Sequence, residues 1–232
     1  LTDDNYRIVF WLSIVPASIA LIILWLVVKQ PVTGASSSSS AKNWHWRQAS
    51  DLPPVFWRLL GVSSLLMLAR FSEAFLTLQA KELGWSVASL PLLMVGYDLI
   101  NAGSAWPVGK LADFWDRKLM LLAGIFVIIV VNVTIIFWQS AFGILVAMLL
   151  AGLHMGMTQG LIATLVAENT LAHLRGTAFA LYYLTSGFAV LIGNYVAGFL
   201  SDYYGTTMGA FKGGLFFSSL AALYLLYIIA KK

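Results

Sequence analysis

Apolar residues fall along this chain in seven long runs: Tyr6–Val28, Trp57–Ala80, Val87–Gly109, Leu119–Trp138, Phe142–Val166, Gly176–Leu200 and Phe211–Ala230. Each is close to the roughly 20 residues that an α-helix needs to cross about 30 Å of hydrocarbon, so the pattern predicts seven membrane helices. Between the first two runs lies KQPVTGASSSSSAKNWHWRQASDLPP, rich in Ser and without periodicity, the composition of a flexible, solvated linker. All other connections are short. The chain therefore divides into a single transmembrane helix (1–28), a linker (29–56) and a compact six-helix bundle (57–232), an all-α polytopic membrane fold.

Composition agrees with a lipid solvent. Residues are 60% hydrophobic and only 10% charged, where a soluble domain carries about 25% charge. The net charge of +4 comes without a basic helix face or a Lys/Arg run, so no nucleic-acid partner is expected. Zero cysteines exclude disulfides and thiolate chemistry. The chain opens at Leu1, and its first apolar run is too long for a signal-peptide core; it reads as part of a longer protein.

Placing the linker in the cytoplasm puts Lys29, Lys42, Arg47, Arg58, Lys110, Arg117, Lys118, Arg175, Lys231 and Lys232 on that side. Only Arg7, Lys81 and Lys212 fall on the other. The positive-inside rule then sets the linker and C-terminus as cytoplasmic, in a cell (inner) membrane.

The turn between the third and fourth runs, GKLADFWDRK (109–118), holds five charges in ten residues. Topology explains Lys110, Arg117 and Lys118, but not Asp113, Asp116 or Gly109. A carboxylate at a helix end favours a helix N-terminus or a paired Arg, and a glycine lets another helix approach. GKLADFW (109–115) is echoed by GFLSDYY (198–204), 89 residues later. Three crossings separate the copies, as an inverted repeat of three helices plus three would leave them.

The pattern Gly109-x-Leu111-Ala112-Asp113-x-x-x-Arg117-Lys118 resembles the loop motif of the major facilitator superfamily. RGTAFALYYLTSGFAVLIGNYVAGFLSDYYG (175–205) resembles its eleventh helix, and ARFSEAF (69–75) its seventh. The resemblance implies the sixth helix, the central linker and the C-terminal six-helix half of that fold. It implies a conformational latch of Gly109, Asp113, Arg117, Lys118 and Arg175, with Glu168 as the local carboxylate for Arg117. The Asp113 partner is implied to lie in the N-terminal six-helix half. Phe114 and Asp116 depart from the usual basic residue and glycine.

Ionisable groups at bilayer depth are costly and mark functional sites. Arg70 lies mid-run with Glu73 at i+3, so a continuous helix would pair them. Asp98 and Asn101 lie in the third run; an unpaired carboxylate there could carry a proton or hydrogen-bond permanently. Gly152, Gly156 and Gly160 form a stripe for close helix packing, and His154 and Thr158 lie about 200° around from it. The resemblance implies that these two face a central cavity; the alternative for His154 is a core hydrogen bond. Asn132, Tyr182, Tyr183, Thr185, Asn194 and Tyr195 are weaker signals of the same kind. One His in Trp44-His45-Trp46 is no metal site, and the two Trp are expected as interfacial anchors.

The expected function is secondary transport of a small solute by alternating access, coupled to protons, with Asp98 as proton carrier. Rival readings are a receptor-like seven-helix protein and a non-transporting half-transporter scaffold. No HExxH, GxSxG or facing catalytic carboxylates occur, so neither enzyme activity nor a cofactor is expected.

Overall fold

The computed structural model describes Tyr6–Val27 and residues 49–231. The first stretch is one 22-residue helix, α1 (Tyr6–Val27), with Pro16 inside it. Residues 29–48 of the expected linker, with Trp44-His45-Trp46, lie outside the described residues.

The remaining helices form one unit: α2 (Pro54–Ala69), α3 (Ala74–Glu82), α4 (Leu90–Phe114), α5 (Arg117–Phe137), α6 (Ala141–Glu168), α7 (Arg175–Tyr204) and α8 (Met208–Ala230). Their ends are written in the sequence. Pro54 sits at N1 of α2, where its missing N–H costs nothing. Asp116 caps α5 by accepting from the Lys118 N–H at 2.8 Å, and Ser140 caps α6 through Gly143 at 3.0 Å. Gly205 closes α7 in the left-handed conformation, φ 66°, at no steric cost.

Among the described residues, five helical stretches are long and apolar enough to cross a membrane: Pro54–Glu82, Arg117–Phe137, Ala141–Glu168, Ala172–Tyr204 and Met208–Ala230. The third expected span, α4, has the length at 25 residues but carries Asp98, Asn101, Lys110 and Asp113. The second expected span is not one helix. It breaks at residues 70–73 into α2 and α3, which corrects the expectation of an Arg70–Glu73 pair on one helical face.

Contacts fix the helix directions. Gly152 lies against the Tyr97 backbone and Gly156 against Asn101, so α4 and α6 run parallel. Leu68 meets Gly193, and Gln79 meets Thr207, so α2–α3 and α7 also run parallel. Asn132 faces Gly214 while Gln139 reaches Met208, so α5 and α8 are antiparallel. GKLADFW and GFLSDYY consequently end helices at opposite ends of the bundle.

The packing partners repeat under exchange of the two helix triples, α2–α5 and α6–α8. The α4–α6 contact corresponds to α7–α2, α5–α6 corresponds to α8–α2, and α5–α8 maps onto itself. One difference stands out: α7 and α8 pack closely, while α4 and α5 barely touch.

Lipid tails are as apolar as Leu, so helices in a membrane associate through close packing and hydrogen bonds. Small residues supply that closeness here. A Cβ on Gly156 would reach within 2.6 Å of the Asn101 carbonyl and collide with Ser104, whereas one on Gly160 would meet nothing within 4 Å. Buried side chains form two main clusters, one around Phe56, Leu66, Leu121 and Ile162, the other around Leu93, Val131, Met148 and Phe211.

The seam between α4 and α6 yields a test. Gly156→Ala should destabilise the purified protein by about 1–3 kcal/mol through overpacking, read as a lower midpoint of thermal unfolding in detergent. Gly160→Ala should leave the midpoint where it was. Equal midpoints for the two variants would sink the close-packing account.

Candidate functional site

At the level of the α2–α3 break the bundle encloses an open cavity of about 1140 Å³, walled by α2 through α8. The break itself forms part of the wall. Arg70 departs from helical geometry at φ −96°, ψ 75°, and the next regular turn begins only at Ala74. An opened backbone N–H in hydrocarbon is unfavourable unless another group accepts it. The Asn194 side chain on α7 accepts the Ser72 N–H at 2.7 Å, while its own amide donates to the Val190 carbonyl at 2.9 Å. One asparagine thus stabilises the interruption from the neighbouring helix.

Arg70, Glu73 and His154 all line this cavity. Among the described residues Arg70 makes no ion pair; it donates to the Met67 sulfur at 3.9 Å. Glu73, Tyr97, Tyr182 and His154 lie within its electrostatic reach. The Tyr97 hydroxyl faces the Glu73 carboxylate. His154 is 1% exposed and its Nδ1 lies 2.7 Å from the Gly124 carbonyl of α5, leaving Nε2 without a protein partner. Asn132, equally buried, donates to the Ile128 carbonyl at 2.8 Å and leaves its Oδ1 unpartnered.

Asp98, Asn101 and Thr158 do not line the cavity. Asp98 is exposed on an outer face of α4 beside Val95 and Leu99. Asn101 contributes its backbone carbonyl to the Gly156 seam. Thr158 is buried, donates to the His154 carbonyl at 2.8 Å and rests its methyl on Gly124. His154 thus has one ring nitrogen in a helix contact and its ring at the cavity wall.

Charged contacts gather at the end of the bundle where α4 meets α5. Arg117 forms ion pairs with Glu168 of α6 and with Asp113, the latter at 3.5 Å. Arg175 donates to the Ala167 carbonyl at 3.2 Å, tying the start of α7 to the end of α6. Lys118 offers its backbone N–H to the Asp116 cap. Gly109 is exposed, with nothing within 4 Å of where a Cβ would stand. Lys110 lies 4.1 Å over Trp106, an interfacial cation–π contact.

A second polar cluster, not singled out from the sequence, closes the opposite end. Glu82 at the end of α3 accepts from the Thr206 hydroxyl at 3.1 Å, the Thr207 N–H at 3.2 Å and the Thr207 hydroxyl at 3.0 Å. Gln79 shares that Thr207 hydroxyl at 2.6 Å. Gln79 and Glu82, three apart on one helix face, were the available signal. Tyr97 was also missed, because an apolar run hides a tyrosine.

A sequence profile described as the Major Facilitator Superfamily matches residues 2–194 and 70–231. The chain belongs to the major facilitator superfamily. It is also 24% identical, over 202 residues, to an MFS-type transporter of Methanocaldococcus jannaschii. That alignment covers 84% of this chain and 50% of the relative, so this superfamily member spans about half the length of the curated relative it matches. A multi-pass, all-α membrane protein follows from the family and from the apolar helices.

The Asn194 contact is open to test. Asn194→Ala should cost about 1 kcal/mol, the net value of one hydrogen bond. Amide exchange should accelerate at residues 70–73 more than elsewhere in the bundle. Unchanged exchange there would show that the break does not depend on Asn194.

Proposed function

We propose that this chain is the C-terminal half of a secondary transporter that moves a small solute across the cell membrane by alternating access. What supports the reading above all is the cavity. It lies at mid-bundle, is walled by both helix triples, and brings together Arg70, Glu73 and His154 from separate elements. The likeness to an MFS-type transporter adds to it. In this reading Tyr6–Val27 is the sixth helix, residues 29–56 are a cytoplasmic linker, and the C-terminus is cytoplasmic.

The partner is the N-terminal six-helix half. Asp98 favours this, since a carboxylate on an exposed face midway along α4 needs protein rather than lipid against it. The open space around Gly109 and the exposed Asp113 side chain fit a second half at the latch. Arg117, Glu168 and Arg175 form this half's side of that latch, which is broken and remade as the cavity changes access.

In this reading proton coupling runs through Glu73 in preference to Asp98. Glu73 is the carboxylate on the cavity wall, while Asp98 is outside it. The function needs neither an enzyme reaction nor a cofactor.

Two measurements test this reading. Co-expressed with a matching N-terminal half, the chain should support solute uptake in proteoliposomes under an imposed proton gradient; Glu73→Gln should abolish accumulation yet spare downhill exchange. Accumulation that survives Glu73→Gln removes Glu73 from the coupling path, and absence of any uptake removes the transport reading. Separately, Asp113→Asn should shift cysteine labelling of cavity positions from one membrane side to the other. Unchanged labelling and transport would reduce 109–118 to a topological signal.

A further inference from the structure

We propose that the solute is an organic acid: a carboxylate-bearing molecule with a hydroxyl or amino donor and an apolar body, its carboxylate held by Arg70. The proposal rests on the transport reading of the cavity and follows from which polar groups the protein leaves unmatched there.

Arg70 carries a guanidinium with five N–H donors. Charges at membrane depth pair with an opposite charge or with backbone carbonyls. Among the described residues Arg70 does neither; its hydrogen bond is to a thioether at 3.9 Å. Glu73 is not the missing counter-ion in a direct pair. The break separates the two, and Glu73 instead faces the Tyr97 hydroxyl. An arginine fork complements a carboxylate in two parallel hydrogen bonds.

The neighbouring groups define the rest of the molecule. Gly124 offers a carbonyl, which only accepts, so His154 Nδ1 carries the proton of that bond. In the neutral ring Nε2 is then an acceptor, buried and without a protein donor. Asn132 donates through Nδ2 to Ile128, and its Oδ1 lies against Gly214 in the seam with α8. His154 is 1% exposed and lines the cavity. A buried acceptor without a donor leaves a desolvation penalty that a solute O–H or N–H removes.

Phe71, Met94, Met155 and Phe211 give the wall an apolar share, beside polar side chains such as Gln159, Tyr182 and Ser186. This combination disfavours the alternatives. A neutral solute leaves the guanidinium unmatched. A cation on Glu73 would displace the Tyr97 hydroxyl and stand within the field of Arg70.

The test is binding to the purified whole protein that carries this chain, using a panel of aliphatic and aromatic hydroxy- and amino-carboxylates. 3-Phenyllactate is the first member, and each acid is paired with its amide and with an amine of the same carbon skeleton. Isothermal titration should show acids bound and their amides about 10- to 100-fold weaker, the range for losing hydrogen bonds to a charged group. 3-Phenylpropionate, which lacks the hydroxyl, should bind less tightly than phenyllactate. Arg70→Gln should bring acid and amide to equal affinity, and Arg70→Lys should restore part of the preference. The ordering of the panel on the unaltered protein reads the proposal even if the variants fail to fold. Amines or amides bound as tightly as acids, or no acid bound at millimolar concentration, overturns it. Because binding is read without flux, acids that bind but are not carried defeat the transport reading alone. Carried amines defeat the acid assignment alone.

Discussion

A backbone opened inside hydrocarbon has no water to satisfy it, and this constraint governs the middle of the bundle. The α2–α3 span could interrupt itself only where another helix brings a side chain to its freed N–H. Asn194 of α7 does so at Ser72. α7 thus meets the span at its break, and the break turns Arg70 and Glu73 toward different neighbours. A continuous helix would have paired them with each other at i and i+3. The interruption leaves the arginine without a direct ion pair, and the cavity acquires its chemical character from that.

The two ends of the bundle carry contacts of matched logic. At one end Arg117 of α5 joins Glu168 of α6; at the other Glu82 of α3 joins Thr206 and Thr207 before α8. Each connects one helix triple to the other. The first is an ion pair at a helix end, and the second is a carboxylate shared among hydroxyls and a backbone N–H. Any relative motion of the triples must strain one set or the other, and their different chemistry makes the two ends respond differently to salt.

Much of this was legible in the sequence, and what was not has physical causes. Run lengths alone place most helices, because a membrane fixes how many apolar residues a crossing takes. The Arg117–Glu168 contact came from a motif resemblance rather than from spacing. The helix break was hidden because RFSE contains neither Gly nor Pro, and its stabilising partner lies 122 residues away. Asp98 looked like a cavity residue because depth along a run can be counted, while the face it occupies depends on which neighbours pack against α4. Only packing distinguishes an outer carboxylate from an inner one.

The glycine seams carry a further meaning. The 89-residue offset between Gly109 and Gly198 carries Ser104 onto Gly193, and carries Leu68 onto Met157, the neighbour of Gly156. Both places are close backbone crossings, Gly156 against Ser104 and Gly193 against Leu68. The glycine has changed sides: it stands on the first helix of its triple at one crossing and on the second at the other. The two halves of the bundle share a close crossing without sharing the residue that makes it possible. A search for internal symmetry in such a protein will find more by comparing helix crossings than by aligning letters.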